Sequence, residues 1–376
     1  MHEDVIGAPL APPPPPTDAY AYWPPPPPPR PPLLEHRFEF DGRAGEYFRI
    51  WIVNLALSIV TLGIYSAWAK VRSEKYFYGN TRLAGVPFEY LARPLPILKG
   101  RIIAVTLFVA YVLASQYSLL WQFALIGVIL LATPWLIVRG LAFRARYSSW
   151  RGLAFRFIPD YGEAYIRYLL LLFPMLLTLG MLYPWVQGKQ KQFIVEHHRF
   201  GGHAFRFLLS PGRFYIPYLI AWGALTALFF VMVMMFAGLA ATSLVGESGA
   251  PKGAPPMWFF ASIGVVFYGS YFVIYVFLTA ALVNLVYNNV ELGGRRLRST
   301  LQGHRLLAIY AANTFAILLS AGLLIPWAKI RLARYRAEAL TLLAADDLDG
   351  MRAERLGDID ATAAEVDGLF DIDIGL

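Results

Sequence analysis

Residues 61–72 read Thr-Leu-Gly-Ile-Tyr-Ser-Ala-Trp-Ala-Lys-Val-Arg, and the pattern returns at 178–189 and 320–331. Aligning Trp68, Trp185 and Trp327 puts Gly63, Gly180 and Gly322 five residues earlier, and Thr61, Thr178 and Ser320 seven earlier. Pro184 and Pro326 directly precede two of the tryptophans. Glycine after an apolar helix suits a helix C-terminus, where a left-handed residue costs little without a Cβ. Proline suits the first position of the next helix, where its missing N–H is no loss. Each block therefore predicts helix, break, helix. Agreement at so many fixed offsets predicts a chain built from repeats, here three.

Working outward from each block, the helix after the tryptophan is basic and amphipathic. It carries Lys70, Arg72 and Lys75 in the first copy, Lys189 in the second, and Lys329, Arg331 and Arg334 in the third. Such a helix favours a membrane–water interface, with Trp at headgroup depth and cations toward anionic lipid. Ordinary positive-inside flanks are the plainer reading of the same residues, and the favoured one. Thirty residues before the tryptophans lie Phe38-Glu-Phe40, Phe155-Arg-Phe157 and Leu297-Arg-Ser299, an alternation that predicts half-buried strands. Ala84-Gly85, Gly201-Gly202 and Gly293-Gly294 read as hairpin turns. Isolated hairpins are marginal in water, so these pieces are expected to pair into a small sheet on one side of a membrane.

The composition supports a membrane setting. Of 376 residues, 57% are hydrophobic and 15% charged, against about 45–50% and about 25% in soluble chains. Apolar segments fall at about 46–67, 101–115, 119–138, 163–185, 213–242, 257–287 and 304–326. Segments 101–138 and 213–287 read as transmembrane hairpins. There is no cysteine, which removes thiolate catalysis, iron–sulfur clusters and disulfides. The last 33 residues, 344–376, carry a net −8, leaving +16 on the rest of a chain whose total is +8. In a membrane protein that surplus reads as loops facing an anionic leaflet, with no role for nucleic acid. Residues 1–36, with proline runs at 12–16 and 24–29, read as an extended spacer. An aromatic groove on a protein partner is the other use such a tail offers.

The basic loops 69–101, 139–162, 186–213 and 288–305 hold seven, five, five and four cations. The positive-inside rule places all of them, with both tails, in the cytoplasm. Single crossings by 46–67, 163–185 and 304–326 contradict that placement. Either these segments turn back at the Thr-Leu-Gly break, or they span and the rule fails. The first reading is preferred, because motif helices of about 16 residues reach only about 24 Å in a core of about 30 Å.

Asn54 and Asn313 fall fourteen residues before their tryptophans inside apolar helices, where interhelical hydrogen bonding is the expected role and a substrate pocket the alternative. Glu46 and Glu163 stand at helix starts, where an acid stabilises the helix dipole. His197, His198 and His203 match no metal-binding spacing, so neither metal nor cofactor is expected. No Walker loop, nucleophile elbow or zincin motif is present, and the chain is read as a non-enzyme.

Phe38-Glu-Phe-Asp-Gly, Glu46-Tyr-Phe, Asn54, the 61–72 block and Tyr76-Phe-Tyr-Gly-Asn-Thr-Arg-Leu resemble the YjgN-like family of bacterial inner-membrane proteins. Trp327-Ala-Lys-Ile-Arg-Leu-Ala-Arg-Tyr335 agrees with the C-terminal end of that family. Val186-Gln187 departs from the pattern, standing where the other copies have Ala-Lys. The resemblance covers about 38–343 and implies a multi-pass inner-membrane protein without an assigned activity. The expected fold is an α-helical polytopic membrane protein of three internal repeats, with short β-hairpins in a small cytosolic sheet. Its expected parts are a tail (1–36), a membrane domain (37–343; units at about 38–100, 155–212 and 297–343) and an acidic tail (344–376). Two functions follow: a transporter- or channel-like protein with a pocket near the broken helices, or a membrane scaffold binding anionic lipid or partners.

Overall fold

The computed structural model describes residues 33–244, 257–345 and Leu348. The proline runs, the 245–256 connection and nearly all of the acidic tail lie outside the described residues.

Four strand pairs arise locally: β2 and β3 (Thr81–Leu83, Val86–Tyr90), β4 and β5 (Ser148–Trp150, Leu153–Phe157), β6 and β7 (His198–Phe200, His203–Phe207), and β8 and β9 (Val290–Leu292, Arg295–Ser299). Each is closed by two residues with positive φ: Ala84-Gly85 (49°, 73°), Arg151-Gly152 (53°, 76°), Gly201-Gly202 (54°, 82°) and Gly293-Gly294 (54°, 82°). That is the type I′ turn, whose twist matches paired strands. A fifth pair joins the two ends of the chain. In it, β1 (Leu34–Phe40) lies antiparallel to β10 (Leu340–Ala344), with Leu34 opposite Ala344.

These strands close into a ten-stranded antiparallel barrel in the order β1-β10-β9-β8-β7-β6-β5-β4-β3-β2. Closure removes every sheet edge. Alternation sends Leu83, Trp150, Phe200, Leu292 and Leu342 into the barrel, packed against Phe38, Phe88, Phe155, Phe205 and Leu297. Stacked and tilted rings run from Phe38 to Phe88 (6.0 Å), Phe88 to Trp150 (6.1 Å) and Trp150 to Phe200 (6.0 Å). Among the described residues the interior is filled by side chains. Outside, Arg37, Glu39, Glu89, Arg156 and Arg206 are exposed, and Arg296–Glu291 (3.2 Å) and Arg298–Glu35 (3.3 Å) pair across strands. A barrel built to sit in lipid has the opposite arrangement, apolar outside and polar within.

The two-residue turns occupy one rim of this antiparallel barrel, so the helical connections leave from the other rim and return to it. Five helical hairpins, short and long in alternation, occur among the described residues. The first short hairpin is α1 (Ala44–Val60) and α2 (Ser66–Asn80). The first long hairpin is α3 (Pro94–Tyr117) and α4 (Leu119–Arg146). The second short hairpin ascends by α5 (Tyr161–Tyr165), a π-helical turn (Ile166–Leu170) and α6 (Leu172–Leu177), and descends by α7 (Tyr183–Glu196). The second long hairpin is α8 (Tyr215–Leu244) and α9 (Met257–Tyr287), and the third short hairpin is α10 (Gly303–Leu319) and α11 (Ile325–Glu338). Among the described residues four helices are long and apolar enough to cross a bilayer, all of them in the long hairpins.

Two expectations are corrected here. The sheet is a closed barrel, because pairing of the chain ends supplies the last strands. The three-unit organisation is not that of the fold: strand pair, helical hairpin and strand pair alternate five times, and units beginning at 38, 155 and 297 cut across that alternation. The long hairpins lack the Thr-Leu-Gly signature, so their equivalent place in the fold left no mark in the sequence. The long hairpins run from 94 to 146 and from 215 to 287.

Candidate lipid-headgroup site

The broken motif is the tip of each short hairpin, built the same way each time. In the first, the N–H groups of 61–66 reach Leu57 O, Ile59 O, Ser58 O, Thr61 O, Thr61 Oγ1 and Gly63 O in turn. In the third, those of 320–325 reach Ala316 O, Leu318 O, Ile317 O, Ser320 O, Ser320 Oγ and Gly322 O. The second matches, with Thr178 Oγ1 accepting from Leu182 N at 3.4 Å. Thr or Ser is needed because its hydroxyl receives an N–H that the turn leaves over. Gly63, Gly180 and Gly322 adopt φ of 89°, 85° and 91°, the left-handed region open to glycine. Each turn thus satisfies six successive N–H groups without water. Its side chains face outward: Leu62 and Leu179 are each 94% exposed.

Below the tips, the returning helices are locked to the outgoing ones. Asn54 Nδ2 donates to Ala69 O (3.3 Å) and Asn313 Nδ2 to Ala328 O (3.2 Å), and both side chains are buried. Leu171 stands at the equivalent place in the second hairpin, where Gln190 Nε2 donates to Arg167 O (3.2 Å) instead. At the foot, Tyr76 Oη donates to Arg43 O (3.0 Å) and accepts from Arg43 N (2.8 Å). Tyr335 does the same with Gln302 (3.1 and 2.8 Å). Phe193 lacks the hydroxyl, and Asp160 caps the helix instead, accepting from Glu163 N at 2.8 Å. Burial raises the Tyr76 phenol above its ordinary value, against the lowering effect of its bond to Arg43.

Pairing of β1 with β10 sets the first and third short hairpins side by side, packed through Phe40, Tyr47, Ile330 and Ala337. Between them lies a cavity of ≈ 620 Å³ lined by Arg43 at the start of α1, Arg305 on α10, and Trp327, Arg331, Arg334, Tyr335 and Glu338 on α11. The Arg331 guanidinium lies over the Trp327 ring (5.3 Å), and Arg334 Nη2 donates to Gly42 O (3.0 Å). Among the described residues none of the four guanidiniums is ion-paired with a carboxylate. The lining thus carries four guanidiniums and one carboxylate, Glu338, and arginine forks have a geometry that suits phosphate.

Of the sequence-derived basic residues, Arg331 and Arg334 meet in this groove. Lys329, Arg72 and Lys75 are exposed on their helices. Lys70 lies half-buried on α2, and Lys189 sits over Trp185 (5.6 Å). Asn54 and Asn313 line no part of the groove. Arg43 and Arg305 were not singled out, because neither lies in a motif and closure of the barrel brings them together. Asp160, Glu163 and His197 also converge; Asp160 caps α5, and Glu163 pairs with Arg167 (2.6 Å) and His197 (3.5 Å).

Among curated proteins, the chain is 34% identical over 128 residues to the inner membrane protein YjgN of Salmonella typhimurium (strain LT2), covering 32% of this chain and 31% of that protein. It is 30% identical over 153 residues to inner membrane protein YjgN of Escherichia coli O157:H7, covering 39% and 36% respectively. The matched region thus spans about a third of the length of these curated relatives. No solved structure matches the chain. A family defined as bacterial protein of unknown function (DUF898) matches residues 35–369, nearly the whole described fold and the span of the YjgN-like resemblance, and the chain belongs to that family.

Proposed function

We propose that this chain is a non-transporting scaffold of the bacterial inner membrane, which holds a polar-faced barrel against the cytoplasmic leaflet and grips anionic headgroups in its arginine-lined groove. In this reading α3, α4, α8 and α9 cross the bilayer, while the three short hairpins enter from the cytoplasmic side and turn back. Hairpins whose two feet stand on one barrel rim cross an even number of times or not at all, which removes the conflict over the basic loops. Irregular backbone is tolerated at membrane depth only when its polar groups are satisfied, and the Thr-Leu-Gly tips meet that condition for their N–H groups. The inner-membrane names of the curated relatives support the location.

The observation that carries the function is the groove between the first and third short hairpins, lined by Arg43, Arg305, Arg331 and Arg334. Surface cations near an anionic leaflet contribute about 1 kcal/mol each. The packed barrel core and the Asn54 and Asn313 bonds to returning-helix carbonyls give no support to a transport path. One observation favours the transporter-like alternative: the Oδ1 atoms of Asn54 and Asn313 are buried without a partner among the described residues.

The test uses full-length protein in nanodiscs. Exchange of a fluorescent phosphatidylglycerol at the protein is expected to slow relative to phosphatidylcholine, and Arg331→Gln with Arg334→Gln is expected to abolish the difference. Equal exchange of the two lipids at the wild-type protein refutes the headgroup site. Because the native chain has no cysteine, single cysteines at 156, 206 and 298 test orientation. An impermeant reagent is expected to spare them in intact cells and to label one at 118.

A further inference from the structure

A second cavity, of ≈ 730 Å³, lies away from the arginine groove, bounded by α7, α8, α9 and the barrel wall. Its α9 wall is mostly apolar, with Leu278, Leu282 and Val286 beside Tyr275, Thr279 and Tyr287, and Phe205 lies on the barrel side. On the α7 wall stands Lys191. Among the described residues no carboxylate reaches it, and the cavity lining contains neither Asp nor Glu. The nearest acid in sequence on α7, Glu196, accepts from Gln192 Nε2 (3.0 Å). Burial pushes the Lys191 ammonium below its ordinary range.

Other polar groups flank the ammonium and are held in place. Tyr218 Oη donates to Gln187 Oε1 (3.0 Å), which leaves the Gln187 amide N–H groups available. His198 Nδ1 bonds Ile194 O (2.6 Å), which directs Nε2 away from that carbonyl. A cation in an apolar enclosure is costly unless an opposite charge joins it. A mostly apolar pocket with a few converging polar groups, within the usual range of about 300–1,000 Å³, is the form of a small-ligand site. One wall is a bilayer-length helix, so the ligand phase at hand is lipid.

We infer that this cavity binds a single-chain anionic amphiphile, with its acidic head on Lys191 and its hydrocarbon chain along α9. A single chain fits better than two, because one cation faces one apolar wall. The inference rests on this cavity alone and stands or falls apart from the headgroup reading.

The experiment uses the full chain in phosphatidylcholine nanodiscs, titrated with a fluorescent long-chain polyene fatty acid. Lys191→Met is expected to weaken binding about tenfold or more, while Lys191→Arg stays within about threefold of wild type. Oleate is expected to displace the fatty acid at concentrations where oleyl alcohol, inorganic phosphate and phosphatidylglycerol do not. Binding to Lys191→Met within about twofold of wild type overturns the inference. So does displacement by inorganic phosphate, which makes this a free-anion site, or by phosphatidylglycerol as readily as by oleate. Should Lys191→Met fail to assemble, Leu282→Trp decides. It keeps the ammonium and fills the chain path, and unchanged binding in it overturns the inference.

Discussion

Leu62 sits at the apex of the first short hairpin with 94% of its surface exposed, next to Gly63 and Ile64. In water, replacing so exposed a leucine by aspartate changes stability by no more than about 0.5 kcal/mol. In lipid the outcome is different. On the proposed placement, the 17 residues of α1, about 26 Å long, carry the tip into a hydrocarbon core of about 30 Å. Aspartate at the centre of a spanning helix costs about 2.5–3.5 kcal/mol, roughly a hundredfold in the folded population. Leu62 adopts φ 51°, a conformation that aspartate tolerates, so the backbone adds no penalty of its own. The assay is denaturant unfolding of the full-length protein in nanodiscs, with Leu34→Asp as control. Leu34 is 48% exposed at the start of barrel strand β1, far from the tips. Leu62→Asp is expected to lose about 2.5–3.5 kcal/mol and Leu34→Asp about 0.5 kcal/mol or less. Equal, small losses in both refute the lipid placement of the short hairpins.

Trp150 fills the barrel core at 2% exposure and donates Nε1–H to Val86 O (3.2 Å), so Trp150→Ala is expected to cost about 3–5 kcal/mol in the same unfolding assay. Tyr335→Phe removes both bonds that tie α11 to Gln302 and is expected to lose about 1–3 kcal/mol, whereas Tyr310→Phe, outside the latch, is expected to lose less. Asn313→Leu removes one interhelical bond together with an unpartnered oxygen, so a stability change within about 0.6 kcal/mol is expected; a large functional loss without unfolding argues for the transporter-like alternative. Burial first, then His197 and Arg144, lower the His198 pKa against the raising effect of its bond to Ile194. The unfolded state therefore binds more protons as pH falls through the ordinary histidine range near 6.5, and stability is expected to fall there in the wild type and less in His198→Gln, measured by melting against pH.

Legibility tracked the range of the interactions involved. The Thr-Leu-Gly tips are closed by hydrogen bonds within six residues, so Thr61, Gly63 and Trp68 announce a break in the chain without any tertiary partner. Gly201-Gly202 and Gly293-Gly294 announced their turns for the same reason. The hairpin at Ser148–Phe157 escaped, because Arg151 (φ 53°) stands at the turn position that Gly201 and Gly293 hold in the other pairs. Asn54 and Asn313 each donate to a backbone carbonyl fifteen residues on, a partner that their place in an apolar helix did not name.

What sequence alone determined is the set of local pieces: apolar helices, broken tips, type I′ turns, basic feet and a cysteine-free membrane composition. Tertiary structure decided how they close. Leu34 meets Ala344 across the barrel seam, and that pairing turns loose hairpins into a closed ring and brings Arg43 beside Arg305, Arg331 and Arg334. The physical reason is the loop between the partners. Pairing across some three hundred residues leaves no trace of partner or register in either strand, and the filled aromatic core stabilises it only once all ten strands are in place.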